Sequence, residues 1–126
     1  MPIIEVFESR NDFIELLTKM GERDSDIGGV IVKFTAEWCV PCQKIKDHVD
    51  KRFNELPPEV QGCNLDVDDN FDLYANMKRL RQLTGIPTIM YFNKLNNSLI
   101  PDLTVVGTDI KEIDNLFAFA IKKCVK

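Results

Sequence analysis

Cys39 and Cys42 are separated by two residues, with Trp38 in front of them and Pro41 between them. Two thiols this close either exchange with a disulfide or fill half of a tetrahedral metal site. Four-coordinate zinc needs two more soft ligands at matching spacing. Cys63 and Cys124 do not form a second C-x-x-C, and His48 is the only histidine. Exchange chemistry instead needs one thiol ionised near neutral pH, and the neighbouring residues favour that. Val30-Ile31-Val32-Lys33-Phe34 reads as a buried strand that runs directly into the pair. Ile45, Val49 and Phe53 recur every four residues, which predicts a helix from about Pro41 to Glu55, ending before Pro57-Pro58. Cys39 therefore falls at the exit of a strand and in the first turn of a helix, where the missing N–H of Pro41 costs nothing. Unpaired backbone N–H groups and the positive end of the helix dipole favour an anion there. Cysteines so placed have pKa values lowered from about 8.5 to roughly 7 or below. A shift of about 1.5 units is roughly 2 kcal/mol in favour of the thiolate. Cys42, one turn on and on the same side of the helix, can close a disulfide with little backbone movement. One thiol attacks and the other resolves.

The rest of the composition narrows the function classes. The chain has 126 residues, 16 Lys+Arg against 20 Asp+Glu and a net charge of −4. That length predicts one domain over residues 1–126, large enough to bury roughly two thirds of its unfolded surface. A hydrophobic fraction of 44% and a charged fraction of 29% are those of a globular chain, not a disordered one. The acidic balance argues against binding phosphate backbones. No apolar run approaches a membrane span, and the longest candidates are broken by Lys33 and Asn93. MPIIEVFESR lacks a basic start and an uninterrupted apolar stretch, so no signal peptide is expected and a reducing, cytoplasmic setting is. In such a setting a close cysteine pair is redox-active or metal-binding rather than structural.

The elements that must position the pair can be read along the chain. Ile3 to Phe7 is a strand candidate, and Ser9 with Asp12 three residues on reads as a capping box. Phe13, Leu16, Leu17 and Met20 follow at helical spacing, with Gly21 as the stop. After the cysteine helix, Asn64 to Asp68 alternates as a strand. A helix through Leu73, Tyr74, Met77 and Leu80 comes next, expected to close at Gly85. Thr88 to Phe92 and Leu103 to Val106 read as hairpin partners across a turn-rich loop. The last helix starts at Thr108 or Asp109, with an apolar stripe of Ile113, Leu116, Phe117, Ala120, Ile121 and Cys124. This order, β-α-β-α-β-α-β-β-α, implies an α/β fold with parallel strands at the centre of the sheet and helices on both faces.

Phe34 to Cys42, reading F-T-A-E-W-C-V-P-C, resembles the active-site stretch of the thioredoxin family. Gly85-Ile86-Pro87-Thr88 resembles that family's cis-proline loop, and Val105-Val106-Gly107 its third substrate-facing loop. The resemblance covers nearly the whole chain. It implies a central mixed sheet of about five strands flanked by about four helices, and a thiol–disulfide oxidoreductase in which Cys39 is the nucleophile and Cys42 resolves. It further implies that Pro87 is cis and presents backbone to an extended substrate segment, with Trp38, Val40, Pro41, Ile86, Val106 and Gly107 around it. A cis X–Pro bond is a few-per-cent event.

Several positions depart from the family. Val40 stands where the family has Gly and adds bulk at the substrate rim. Lys33 occupies the place of a buried acid, and Asn64 that of the acid's lysine partner. A lysine inside an apolar strand is costly unless paired or neutral. Asp66, two residues beyond Asn64 on the same strand face, is a candidate partner. Lys33 is expected to alter how Cys42 loses its proton, either as an uncharged base or by stabilising a thiolate; a snorkelling side chain is the plainer alternative. Asp47 replaces the family's mid-helix proline, and the helix before Gly85 and the hairpin after Phe92 are each longer by about four residues.

Other residues have simpler readings. Cys63 and Cys124 read as inert small hydrophobes, His48 as solvated, and Trp38 as either a substrate-docking residue or a core anchor. Asp66, Asp68, Asp69 and Asp72 lack a calcium-loop pattern and read as a solvated turn and helix start. Asn96-Asn97-Ser98 matches a glycosylation sequon but has no secretory signal to give it meaning.

The expected function is a monomeric reductase or exchanger of protein disulfides with no bound cofactor or metal beyond its own redox-active disulfide. By the resemblance, it would take electrons from a thioredoxin reductase or a glutathione system. No Gly-rich nucleotide fingerprint is present, so flavin and nicotinamide would reside on that partner. The alternative is a thioredoxin-fold binding module whose cysteine pair is vestigial or a redox gate.

Overall fold

The structure, a computed structural model, describes residues 2–125. Its elements are α1 (Arg10–Met20), β1 (Gly29–Thr35), α2 (Val40–Asn54), β2 (Val60–Asp66), α3 (Phe71–Arg79), β3 (Thr88–Asn93), β4 (Leu103–Val106) and α4 (Ile110–Cys124). The strands form one mixed sheet in the order β2-β1-β3-β4. β1 is parallel to β2 and antiparallel to β3, and β3 is antiparallel to β4. The parallel pair forces α2 to run back across the sheet between β1 and β2, which returns the chain from the active-site end.

Each face of the sheet carries two helices. Val30, Val32, Phe34, Met90 and Phe92 pack with Phe13, Leu17 and Met20 of α1 and with Leu73 and Met77 of α3. Ile31, Ile89 and Tyr91 face the other way, onto Ile45, Val49 and Phe53 of α2 and Ile113, Leu116 and Phe117 of α4. This is the alternation a sheet buried on both faces requires.

Four boundaries differ from the sequence expectation, each for a local physical reason. The first strand shrinks to a single parallel bridge, Ile4 to Cys63, so the sheet has four strands rather than five. Asn70 draws that segment away from β2: its Oδ1 accepts from Phe7 N at 2.7 Å and its Nδ2 donates to Glu5 O at 3.1 Å. β2 starts four residues earlier than expected, because Val60 N closes a turn onto Pro57 O and the pairing begins at once, opposite Gly29. The capping box is half made: Ser9 caps α1, but its hydroxyl accepts from Asn11 N rather than from residue 12.

The fourth difference is the end of α3, which stops at Arg79 and not at Gly85. Arg81 adopts φ 59°, Arg81 N donates to Lys78 O, and Gln82 N donates to Met77 O. These two bonds are the pair that usually ends a helix around a left-handed glycine, here with arginine in its place.

α3 is tied to α1 by Arg10, whose N, Nε and NH2 all donate to the Asp72 carboxylate at 2.7 to 3.0 Å. The Arg10 guanidinium and backbone amide hold the Asp72 pKa down at about 2, from 3.8. A depressed carboxylate stabilises the fold above its ordinary pKa, and that contribution is lost as pH falls towards 2. Asp72→Asn is therefore expected to lower the urea midpoint at neutral pH, with the difference from the parent chain vanishing as pH approaches 2.

Candidate active site

Cys39 is the N-cap of α2 and Pro41 lies in its first turn. The Cys42 amide donates to Cys39 Sγ at 3.3 Å, the kind of bond by which a helix N-terminus stabilises negative charge on that sulfur once it is reduced. Cys39 and Cys42 are joined as a disulfide, with their Cα atoms 5.2 Å apart. The two sulfurs are not equivalent. Cys39 is 6% exposed and Cys42 is fully buried, so a partner from solvent meets Cys39 first.

The Ile86–Pro87 peptide is cis, and the Ile86 carbonyl oxygen lies 3.8 Å from Cys39 Sγ. Gly107 donates its N–H to Pro87 O at 2.9 Å, tying the end of β4 to the proline loop. It does so at φ 101°, a conformation that favours glycine. Trp38, Val40 and Val106 are 65%, 67% and 53% exposed, Pro41 is exposed, and Ile86 is half-buried. Trp38 is therefore a rim residue and not a core anchor.

Two residues that hold this arrangement escaped the sequence reading. Asp68 Oδ2 accepts from Trp38 Nε1 at 2.9 Å and fixes the indole across the top of β1. Gln43 Nε2 donates to Ala36 O at 3.0 Å and pins the turn that enters Cys39. The signal for Asp68 was an exposed indole beside a run of carboxylates, since Trp N–H groups find an acceptor where one is in reach. For Gln43 no pattern pointed to the bond.

Lys33 is 1% exposed and makes no ion pair among the described residues. Burial lowers its pKa, the Asp50 carboxylate counteracts this, and the Lys46 ammonium adds to it. Asp66 lines the same polar cleft as Lys33, but its Oδ1 accepts from Asp68 N at 2.8 Å in the turn that follows β2. The carboxylate whose field Lys33 feels is Asp50, on α2. Asp47 is exposed, and α2 continues through it without interruption.

The remaining cysteines lie in the two cores. Cys63 packs on the α1/α3 face and Cys124 on the α2/α4 face, and burial pushes both thiols up. His48 is part-exposed, and its Nε2 lies 2.7 Å from Asp114 Oδ1, bridging α2 to α4. Among the described residues no three His, Cys, Asp or Glu side chains gather where they could hold a metal ion, and no helix is long and apolar enough to cross a membrane. The wider clefts, about 460 and 950 Å³, border the β3–β4 loop, and neither site cysteine lines them.

A redox pair capping a helix beside a cis-proline narrows the comparison with known proteins. The thioredoxin family's sequence model matches residues 8–118. The chain belongs to the thioredoxin family. Horse thioredoxin is 32% identical over 92 residues, covering 73% of this chain and 78% of that protein. Thioredoxin 3 of Plasmodium falciparum is 27% identical over 88 residues, which are 70% of this chain and 46% of that protein. The chain thus spans about half the length of that relative. The thioredoxin of Fasciola hepatica shares the fold, with a TM-score of 0.70 at 22% identity over 93% of this chain and 99% of that one. Thioredoxin-family proteins are thiol–disulfide oxidoreductases, and the cysteine pair that chemistry requires is in place here.

Proposed function

We propose that this chain is a protein-disulfide oxidoreductase acting through Cys39 and Cys42, within a single thioredoxin-like domain over residues 1–126. The carrying observation is the disulfide at the head of α2, with Cys39 slightly exposed and Cys42 fully buried. In the reduced protein, the Cys39 thiolate attacks one sulfur of a client disulfide. The client S–S bond breaks and a mixed disulfide forms. Cys42 then attacks Cys39 Sγ, releases the client's second thiol and restores the disulfide seen here. The cis Ile86–Pro87 peptide, with Trp38, Val40, Pro41, Val106 and Gly107, forms the rim against which an extended client segment lies. Clients are proteins, and electrons come from a thioredoxin reductase or a glutathione system. The protein needs no bound cofactor and works as a cytoplasmic monomer in electron transport.

Insulin reduction by dithiothreitol tests this reading. The chain is expected to accelerate precipitation of the insulin B chain catalytically. Silence at stoichiometric amounts would replace the enzyme with a binding module built on the same fold.

A further inference from the structure

α3 is bracketed at both ends by the active-site rim. Just before its N-cap, Asn70, the Asp68 carboxylate accepts from Trp38 Nε1 at 2.9 Å. Beyond its last residue the chain turns at Arg81 and runs through Gly85 into the cis Ile86–Pro87 peptide. The outer face of α3 therefore continues the surface on which a client lies at Cys39.

That face carries a stripe that the core does not use. Leu73, Asn76 and Met77 are the buried residues of α3. Phe71, Tyr74 and Lys78 follow at i, i+3 and i+7 on another face. Phe71 is 66% exposed, its ring lies 6.5 Å from that of Tyr74, and Lys78 Nζ sits 5.3 Å over the Tyr74 ring. The stripe ends in the exposed Arg79 and Arg81. Lys78, Arg79 and Arg81 form no ion pair among the described residues. Arg79 donates only to the neutral Asn76 Oδ1, and the first-turn carboxylate, Asp72, is committed to Arg10. The C-terminal end of a helix dipole carries about half a negative charge, so three cations leave an excess of positive charge there. In a chain of net charge −4 this is a local reversal of sign. The other end of α3 has the opposite character, with Glu37, Asp68 and Asp69 exposed beside Trp38.

Resting on the proposed disulfide exchange, we infer that the outer face of α3 is a docking surface for an acidic segment of the client protein. An apolar client side chain lies on Phe71 and Tyr74, and client carboxylates pair with Lys78, Arg79 and Arg81. Guanidinium groups grip carboxylates through two parallel hydrogen bonds, so the arginines supply direction as well as charge. Charge also sets the orientation: Glu37, Asp68 and Asp69 repel acids from the Trp38 end, and the carboxylates take the far end. From Phe71 to Lys78 is about 10.5 Å of helix, which an extended chain covers in about three residues. The recognised segment therefore has an apolar residue and, about three positions further from the reactive cysteine, a pair of acidic ones. A nucleic-acid strand, charged at every residue, would run its phosphates onto Asp68 and Asp69.

Fluorescence-quenched cystine peptides test this, with dithiothreitol recycling the full chain. Three peptides share one disulfide and one apolar residue, and end in Glu-Glu, Gln-Gln or Lys-Lys at the acidic positions. At low ionic strength the Glu-Glu peptide is expected to have a kcat/KM about tenfold above the Gln-Gln peptide, carried by KM. At about 1 M salt, where charges are screened beyond about 3 Å, the advantage should fall below about threefold. Lys78→Glu combined with Arg81→Glu is expected to invert the order, so that the Lys-Lys peptide is reduced fastest. Arg81→Gly keeps the left-handed turn, removes one cation and should lose part of the preference. Ranking the peptides within each variant cancels any general loss of folded protein. Equal kcat/KM for the three peptides in the parent chain, or an order that charge reversal leaves unchanged, would overturn the inference and leave the thiol chemistry standing. Failure to reduce any of the peptides would instead overturn the proposed function, and this inference with it.

Discussion

Serine at position 39 will reduce insulin reduction to the background of dithiothreitol alone, while alanine at position 42 will turn the protein into a trap. The asymmetry follows from exposure: Cys39 is reachable and Cys42 is sealed behind it. A client disulfide can be attacked only by the outer sulfur, so Cys39→Ser removes the first bond-forming step and nothing downstream compensates. In Cys42→Ala, the first step proceeds and the second has no nucleophile, because Cys63 and Cys124 lie buried in the two cores with their thiols pushed up. The mixed disulfide then persists until an external thiol cleaves it. Non-reducing gels should show a client-sized shift with Cys42→Ala and none with Cys39→Ser. The opposite pattern would exchange the roles of the two sulfurs. Equal capture by both variants would remove the asymmetry between the two sulfurs.

The capture experiment also reports on the rim. Val40 and Trp38 stand well out of the surface beside Cys39, and Trp38 is held there by Asp68 rather than by packing. A side chain fixed by one hydrogen bond presents its apolar face without the entropic cost of ordering it on contact. The branched Val40 adds apolar area where a client segment must pass to bring its sulfur to Cys39.

Strand and helix identity was legible wherever one period governed a run of residues. The β-branched run Val30–Phe34, the four-residue spacing of Ile45, Val49 and Phe53, and the C-x-x-C at their junction placed the site before any coordinates did. The misses came where a distant side chain overruled the local pattern. Asn70 captures the backbone of Phe7 and Glu5, and no property of Ile3 to Phe7 announces that. Gly62 lies inside β2, where a Cβ would come within 2.7 Å of both Ile3 and Phe53, so glycine is what lets those side chains close over the strand. Arg81 closes α3 in a conformation that sequence reasoning reserves for glycine. In the site, Lys33 drew notice because a charge in an apolar strand is conspicuous. Its electrostatic partner Asp50 did not, since a carboxylate four residues after Lys46 looks like an ordinary helix-surface pair, which it also is.

Phe13→Ala is expected to bring the fold close to the limit of stability while leaving the chemistry of the folded fraction intact. Phe13 is 1% exposed on α1, and its ring meets Phe7 at 5.5 Å and Phe92 at 5.4 Å, both edge-to-face. It thus joins the N-terminal segment, the first helix and the central β3 strand in one contact set. Truncating such a ring costs about 3–5 kcal/mol through lost transfer energy and an unfilled cavity, and each aromatic pair adds about 0.5–1.5 kcal/mol beyond its area. Domains of this size have about 5–15 kcal/mol in total, so the loss removes a large part of it. The urea midpoint should fall steeply with little change in slope, because the surface exposed on unfolding is nearly the same. Phe13 shares the α1/α3 core with Cys39 and Cys42, but its edge-to-face partners are Phe7 and Phe92, neither of which is a rim residue. Insulin reduction per folded molecule, measured well below the new melting temperature, should therefore match that of the parent chain. A drop in turnover at full folding would show that α1 acts on the active-site loops through the core that Phe13 shares with Cys39 and Cys42.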